Sequence, residues 1–146
     1  MEQVYPVFIC YMNDESEHPY LACVPDMDIL TEGDSFADAI KMARDAIGLT
    51  GISMEDHQEK LPEPSSQSAA IEKARQNAGE IDFSKGTLTY VDIDFTEYRK
   101  QTETKTVLRN VSLPDWLSHE AEHAGINISK VLQDALVNLL HAKQNL

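Results

Sequence analysis

The sequence predicts an α+β protein, in which a small antiparallel sheet with a packed helix precedes a strand-helix-helix segment. Three observations support this class: short runs rich in β-branched and aromatic residues, turn residues between them, and apolar residues at helical spacing after them. With 146 residues, 42% of them hydrophobic, the chain can bury one modest core, or one core plus a small appendage that completes its own core by dimerising.

Three strands are predicted to form a meander at the start of the chain. Residues Val4–Met12 form a β-rich run that is followed by a polar turn, and Tyr20–Val24 is its hairpin partner. Pro25 and Asp26 break the second strand, and Ile29–Glu32 is short enough for a third.

One amphipathic helix is expected to pack on this sheet. Ser35 suits the N-cap position, and Gly48 and Gly51 predict the end of the helix. Its apolar positions recur at helical spacing, at Phe36, Ile40, Ala43 and Ile47.

Residues 55–82 predict a connection with one weakly periodic helix. The alternating run Thr87–Phe95 then predicts a strand that joins the same sheet.

The charge of the chain is divided along its length. Residues 1–98 hold 6 Lys and Arg against 20 Asp and Glu, a balance of −14, whereas residues 99–146 hold 6 against 5, a balance of +1. An acidic surface repels polynucleotides and attracts basic proteins through long-range steering. The natural partner of the first part is therefore expected to be cationic.

Residues 105–146 predict a strand and two helices, after a charged linker at residues 99–104. Thr106–Leu113 alternates, Pro114 suits the first turn of a helix that ends at Gly125, and Ser129 is expected to cap the second helix. The apolar stripes are Trp116, Leu117, Ala121 and Ala124 on the first helix and Leu132, Ala135, Leu136, Leu139 and Leu140 on the second. So small a unit with a lone strand needs a second copy to pair with.

Two sets of short motifs resemble known families. The N-terminal motifs Tyr5-Pro6-Val7, Val24-Pro25-Asp26, Thr31-Glu32-Gly33-Asp34-Ser35 and Leu61-Pro62-Glu63-Pro64-Ser65 look like the HicB antitoxin domain. The C-terminal motifs Asn110-Val111-Ser112-Leu113-Pro114, Gly125-Ile126-Asn127-Ile128-Ser129 and Gln133-Asp134-Ala135-Leu136 resemble the ribbon-helix-helix family. Together they span nearly the whole chain.

This resemblance implies a division of labour. Residues 1–98 would form a toxin-neutralising domain like a trimmed ribonuclease H fold without its activity, residues 99–104 a linker, and residues 105–146 a domain that dimerises and binds DNA. The implied partners are a HicA-like toxin, which is a small basic RNA-cleaving protein, together with operator DNA and further copies of the chain, as a dimer or a tetramer. The chain would occlude its toxin and repress its own operon.

The resemblance also implies which residues face DNA. In ribbon-helix-helix dimers, alternate residues of the paired strands read base edges in the major groove. The expected DNA-facing residues are Thr106, Leu108, Asn110 and Ser112. Leu108 departs from the polar residue of many relatives, and Arg109 falls on the face that should be buried. Ser129 and Lys130 open the second helix, where a phosphate is favoured.

A set of acidic residues near turns is the candidate contact with the toxin. It comprises Asp26, Asp28, Glu32 and Asp34. The alternative is that they are ordinary loop charges that keep the chain soluble.

The main competing motif is His119-Glu120-Ala121-Glu122-His123, which matches the H-E-x-x-H pattern of zinc hydrolases. It lies on a short helix and lacks an obvious third ligand, so no metal, cofactor or catalytic residue is expected.

Asp92 and Asp94 could in principle bind a metal ion, but the centre of the first strand has no carboxylate to complete such a site.

The remaining sequence features favour an ordinary binding protein. Cys10 and Cys23 have no metal-binding or disulfide spacing, and no signal peptide or membrane span is apparent, which predicts a cytoplasmic protein. A third hypothesis is a non-DNA-binding oligomeric adaptor for some other basic protein.

Overall fold

The computed structural model describes residues 1–13 and 15–144. Its strands and helices confirm the predicted α+β class. The four strands are β1 (Glu2–Tyr11), β2 (Tyr20–Val24), β3 (Ile29–Gly33) and β4 (Thr87–Asp94). The five helices are α1 (Phe36–Asp56), α2 (Gln67–Gln76), α3 (Phe95–Thr102), α4 (Asp115–His123) and α5 (Ile128–Gln144). The chain divides into two compact units between Lys105 and Thr106.

The first unit is built on an antiparallel sheet with the strand order β3-β2-β1-β4. The three-strand meander and the fourth strand were both predicted from the sequence. Helix α1 covers one face, where Tyr5, Val7 and Ile9 of β1 meet Ala43 and Ile47 of the helix in the main core. Helix α2 covers part of the other face through Ala70 and Ala74, which pack on Phe8.

Helix α1 is longer than the sequence indicates. Ser35 caps it as predicted, since its hydroxyl accepts a hydrogen bond from the Asp38 N–H at 3.0 Å. The helix does not end at Gly48 or Gly51 but continues to Asp56, so that prediction was wrong. Both glycines lie against aromatic rings: a Cβ on Gly48 would lie 2.6 Å from the Tyr98 ring, and one on Gly51 would lie 2.1 Å from the Phe95 ring.

Helix α3 occupies most of the stretch that the sequence presents as a linker. Asp94 caps it by accepting hydrogen bonds from the Thr96 and Glu97 N–H groups at 3.0 and 3.2 Å. Tyr98 donates a hydrogen bond to Asp45 at 2.8 Å, and Arg99 pairs with Glu55 at 3.1 Å. Residues 99–102 are therefore helical and attached to α1, while 103–114 have no regular secondary structure.

The second unit contains the two predicted helices without a core of its own. Gly125 follows α4 with φ +69°, the left-handed conformation that commonly terminates a helix at glycine. The cap of α5 is Asn127 rather than Ser129, because the Asn127 side chain accepts the Lys130 N–H at 3.1 Å. Residues 106–113 do not form a strand in the single chain, and none of the side chains described from residue 106 to 143 is buried.

Candidate functional site

The outer edge of the sheet at β3 presents an apolar centre among acidic residues. β3 is an end strand, so one of its edges has no partner strand in the described sheet. Leu30 is 63% exposed and forms an open groove with Leu21, Thr31 and Glu32. An exposed strand edge offers backbone hydrogen bonds, and an exposed apolar side chain beside it adds contact area for a partner.

Asp26, the first of the four acidic candidates, is not at the surface. Its side chain is 0% exposed and accepts hydrogen bonds from the Lys73 ammonium at 2.7 Å, the Ser65 N–H at 2.8 Å and the Ser65 hydroxyl. Burial alone would raise the pKa of this carboxyl, but the hydrogen bonds from Lys73 and Ser65 outweigh it and lower the pKa. Asp26 joins β2 to the start of α2, and its carboxylate is enclosed by these partners.

The other three candidates are exposed along β3, and we call Asp28, Glu32 and Asp34 the β3 acidic edge. Asp28 precedes the strand at φ +55°, Glu32 shares a strand face with Leu30, and Asp34 follows the strand. Asp34 contacts His18, and this hydrogen bond is the main cause that raises the pKa of the His18 imidazole. Carboxylates thus lie before, within and after the exposed strand.

Asp92 and Asp94 are already engaged within the fold. Arg44 binds the Asp92 carboxylate at 3.0 Å and its backbone carbonyl at 3.0 Å, and Asp94 caps α3. The hydrogen bond from Arg44 is the first cause that lowers the pKa of Asp92. Over the part of the chain that the structure describes, no group of three or more His, Cys, Asp or Glu side chains could hold a metal ion.

The two histidines of the H-E-x-x-H motif lie side by side on α4. The ring centroids of His119 and His123 are 6.2 Å apart, and the ring planes differ by 13°. Both side chains are exposed. A catalytic zinc site uses three protein ligands, and the described residues place no third one here.

The residues expected to face DNA are all exposed. Thr106, Leu108, Asn110 and Ser112 lie in the irregular segment, where Leu108 is 96% exposed. Ser129 and Lys130 lie in the first turn of α5. Large apolar side chains of the same unit are also exposed, among them Val107, Val111, Trp116, Ile126, Leu136, Leu139 and Leu140. In the second unit, the irregular segment 106–113 therefore has no strand partner among the described residues, and the apolar side chains of the unit are uncovered.

Several important residues were missed from the sequence. Lys73 and Ser65 hold Asp26, and Arg99 holds α3 by pairing with Glu55, Asp56 and Glu103. Because the apolar periodicity of α2 is weak, the sequence did not indicate that Lys73 would pair with Asp26. The charged composition of α3 suggested a linker rather than a helix. An Asp-Phe-Thr-Glu sequence directly after a strand is a capping signal that could have revealed α3.

Comparisons with known proteins place this fold in a family. The family model described as "HicB_like antitoxin of bacterial toxin-antitoxin system" matches residues 5–134. The chain is similar to a chain of the "Toxin-Antitoxin complex from Streptococcus pneumoniae", with 22% identity over 94% of this chain and 99% of that one and a TM-score of 0.56. It is also similar to the antitoxin HicB of Burkholderia pseudomallei, with 20% identity over 96% and 98% of the two chains and a TM-score of 0.48.

The curated proteins and the helices of the chain add two observations. No curated protein matches the chain. None of the described helices combines the length and the apolar character needed to cross a membrane. The family match extends from the first strand into the last helix, and an antitoxin family implies a regulator rather than an enzyme. The chain belongs to the HicB-like antitoxin family of bacterial toxin-antitoxin systems.

Proposed function

We propose that the chain neutralises a HicA-like toxin, a small basic protein that cleaves RNA, by covering the surface with which the toxin binds RNA. The observation that carries this proposal is the exposed β3 edge within a region whose formal charge is −14. A surface that binds RNA is cationic, so an acidic protein surface is complementary to it and competes with RNA. Both partners would meet in the cytoplasm.

The contact is proposed to centre on Leu30 and the β3 acidic edge. The carboxylates would steer the basic toxin and fix its orientation, while Leu30 and the strand edge would supply short-range contacts. Asp26 supports this edge indirectly, since it ties the turn before β3 to Ser65 and Lys73. The middle of β1, from Tyr5 to Ile9, has no carboxylate, in keeping with a ribonuclease H-like scaffold without activity.

Two charge-matched triple variants test this contact. One carries Asp28→Asn, Glu32→Gln and Asp34→Asn, and the control carries Glu2→Gln, Glu59→Gln and Glu80→Gln at exposed positions elsewhere. Calorimetry with a HicA-like toxin should show that the first set reduces the affinity about tenfold more than the control set does. Equal losses would mean that only net charge matters and would contradict a contact at β3.

We propose further that the second unit is completed by a second copy of the chain. Pairing of two 106–113 segments would form the antiparallel ribbon and satisfy their backbone groups. The exposed side chains of α4 and α5, such as Leu117, Leu136 and Leu139, would form the shared core. A unit of this size, in which none of the described side chains is buried, is too small to be stable alone, whereas two copies bury one another's apolar surfaces.

The dimer is proposed to repress transcription by holding operator DNA. Asn110 would make a bidentate contact with adenine, Thr106 and Ser112 would add base contacts, and the start of α5 at Ser129 and Lys130 would bind a phosphate. Leu108 would contact a thymine methyl group. The second unit carries only a slight positive charge, so toxin binding or assembly of two dimers would add to DNA affinity.

A mobility-shift assay on the DNA upstream of the gene tests this role. Asn110→Ala should weaken the shift about tenfold, since one bidentate base contact contributes about 1–3 kcal/mol. The control Asn138→Ala, at an exposed position of α5, should leave it unchanged. If no shift occurs even with the toxin, the second unit serves only as an oligomeric adaptor, and the repressor role is wrong.

A further inference from the structure

The histidine pair of α4 has the sequence spacing of a two-ligand metal site. His119 and His123 are one helical turn apart, their rings are nearly parallel, and their centroids are 6.2 Å apart. Residues four positions apart lie on the same face of a helix. Histidines at this spacing supply the two histidine ligands of helical zinc sites, and these exposed rings can rotate until one nitrogen of each faces a shared ion.

The surroundings leave both rings available and favour a cation. Both side chains are exposed, and no hydrogen bond or ion pair joins either ring to another of the described residues. The charged neighbours on α4 are Asp115, Glu120 and Glu122, and the helix contains no Lys or Arg. Carboxylates around a neutral imidazole pair attract a divalent cation and repel an anion.

The pair also lies away from the surface assigned to dimerisation. With about 100° per residue, His119 and His123 are on the opposite side of α4 from Leu117 and Ala121. A second copy that packs on Leu117 and Ala121 would therefore leave the two imidazoles and the neighbouring Trp116 in solvent. Metal binding and dimer formation would be compatible.

We propose that His119 and His123 bind one borderline transition-metal ion, such as Zn²⁺, Ni²⁺ or Cu²⁺, with water in its remaining positions. Imidazole suits this class of ions. A metal bridge across one turn binds folded α4 and not the unfolded segment, so metal would stabilise the second unit by linkage. With two protein ligands the site is structural or sensory, rather than the three-ligand site of a hydrolase.

The only tryptophan of the chain provides a local reporter. Trp116 lies three residues before His119 on α4 and is 67% exposed, so a bound paramagnetic ion would be close to its indole ring. Addition of Cu²⁺ to the full, untagged chain should quench its fluorescence and saturate at one ion per chain. Excess Zn²⁺ should reverse the quenching by competition.

Single histidine variants decide whether this pair is the site. His119→Gln and His123→Gln keep helix-forming side chains, and each should raise the Cu²⁺ concentration for half-quenching about tenfold, because one of two ligands is lost. His141→Gln, on the exposed surface of α5, is the matched control and should change nothing. Circular dichroism verifies that the helices of each variant remain intact.

A second readout tests the stabilising effect. Zn²⁺ should raise the unfolding temperature of the wild-type chain and leave that of the His119→Gln/His123→Gln double variant unchanged. The proposal is overturned if wild-type fluorescence is not quenched, or if both single variants are quenched at the wild-type Cu²⁺ concentration. An equal thermal shift in wild type and double variant would likewise place the stabilising metal elsewhere.

Discussion

At the scale of single residues, Asp26 explains how the turn before β3 is held. Its buried carboxylate receives hydrogen bonds from Ser65 and an ion pair from Lys73, so the turn before β3 meets the region of α2, 39 residues later, at one side chain. A buried carboxylate is tolerated only when its acceptor oxygens have partners. The charge that the sequence offers as a contact for a partner is instead a structural group.

The acid sensitivity of folding should reflect Asp26. Its pKa is lowered in the folded state, so its contribution to the free energy of unfolding is present above the ordinary carboxyl pKa of about 4 and is lost as pH falls through the folded value. Asp26→Asn should lower that free energy by about 1–3 kcal/mol at neutral pH. In urea unfolding at several pH values, the two proteins should converge in acid, and Glu80→Gln should follow wild type throughout.

Gly51 shows a second effect of a single residue. Alanine normally stabilises a helix interior relative to glycine by about 1 kcal/mol. Here a Cβ would lie 2.1 Å from the ring of Phe95, which is 2% exposed and has no room to move. We therefore expect Gly51→Ala to destabilise by about 1–3 kcal/mol, through overpacking, in chemical denaturation. Gly79→Ala, whose Cβ would meet open space, is the control, and a stabilising Gly51→Ala would disprove the packing of α3 on α1.

At the scale of elements, α3 is attached to the first unit rather than free. Phe95 and Tyr98 pack against the glycines of α1, while Arg99 pairs with Glu55 and Asp56 at the end of that helix. Burial is the main cause that raises the pKa of Tyr98 to about 12, and its hydrogen bond to Asp45 adds to it. The irregular connection to α4 therefore begins at residue 103, later than the predicted linker, and runs to residue 114.

Limited proteolysis measures where that connection begins. Between residues 99 and 109, trypsin should cut first after Lys105, because cleavage needs an unfolded segment and α3 protects Arg99 and Lys100. Mass spectrometry of the early fragments identifies the site. Cleavage after Arg99 or Lys100 as fast as after Lys105 would show instead that α3 is not stably attached.

Patterns within elements were predictable, whereas contacts between elements were not. The alternation of β4 and the Ser35 cap of α1 are local signals, and both appear in the structure. The continuation of α1 past Gly48 and Gly51 depends on aromatic rings of α3, more than 40 residues later in the sequence. The burial of Asp26 likewise depends on α2, whose own periodicity is weak.

At the scale of the whole molecule, the two units differ in how their apolar side chains are covered. The first unit has a core that includes Tyr5, Val7, Ile47 and Val91 at 0% exposure, whereas the described side chains of the second are all at least partly exposed. This contrast is why we assign the second unit to a dimer. The small size of residues 105–146 predicted the need for a second copy, whereas the helix pattern alone could not, because an amphipathic helix looks the same whether its partner is in the same chain or in another.

The proposed dimer is tested by the oligomeric state of the full chain. Sedimentation equilibrium should find a dimer of the full chain, and Leu136→Glu should shift it toward monomer by placing a charge in the shared core. Leu49→Glu is a matched control, since Leu49 of α1 is 61% exposed and Leu136 is 58% exposed. A Leu136→Glu protein that remains as dimeric as wild type would place the dimer contact elsewhere.

The most direct test of the antitoxin role is RNA cleavage by the HicA-like toxin that we propose as the partner. Titration of that protein with the full chain should abolish cleavage near equal concentrations, and inhibition should weaken as salt screens the acidic surface. The β3 triple variant should require a higher concentration than its charge-matched control. Undiminished cleavage in the presence of excess wild-type chain would contradict the account.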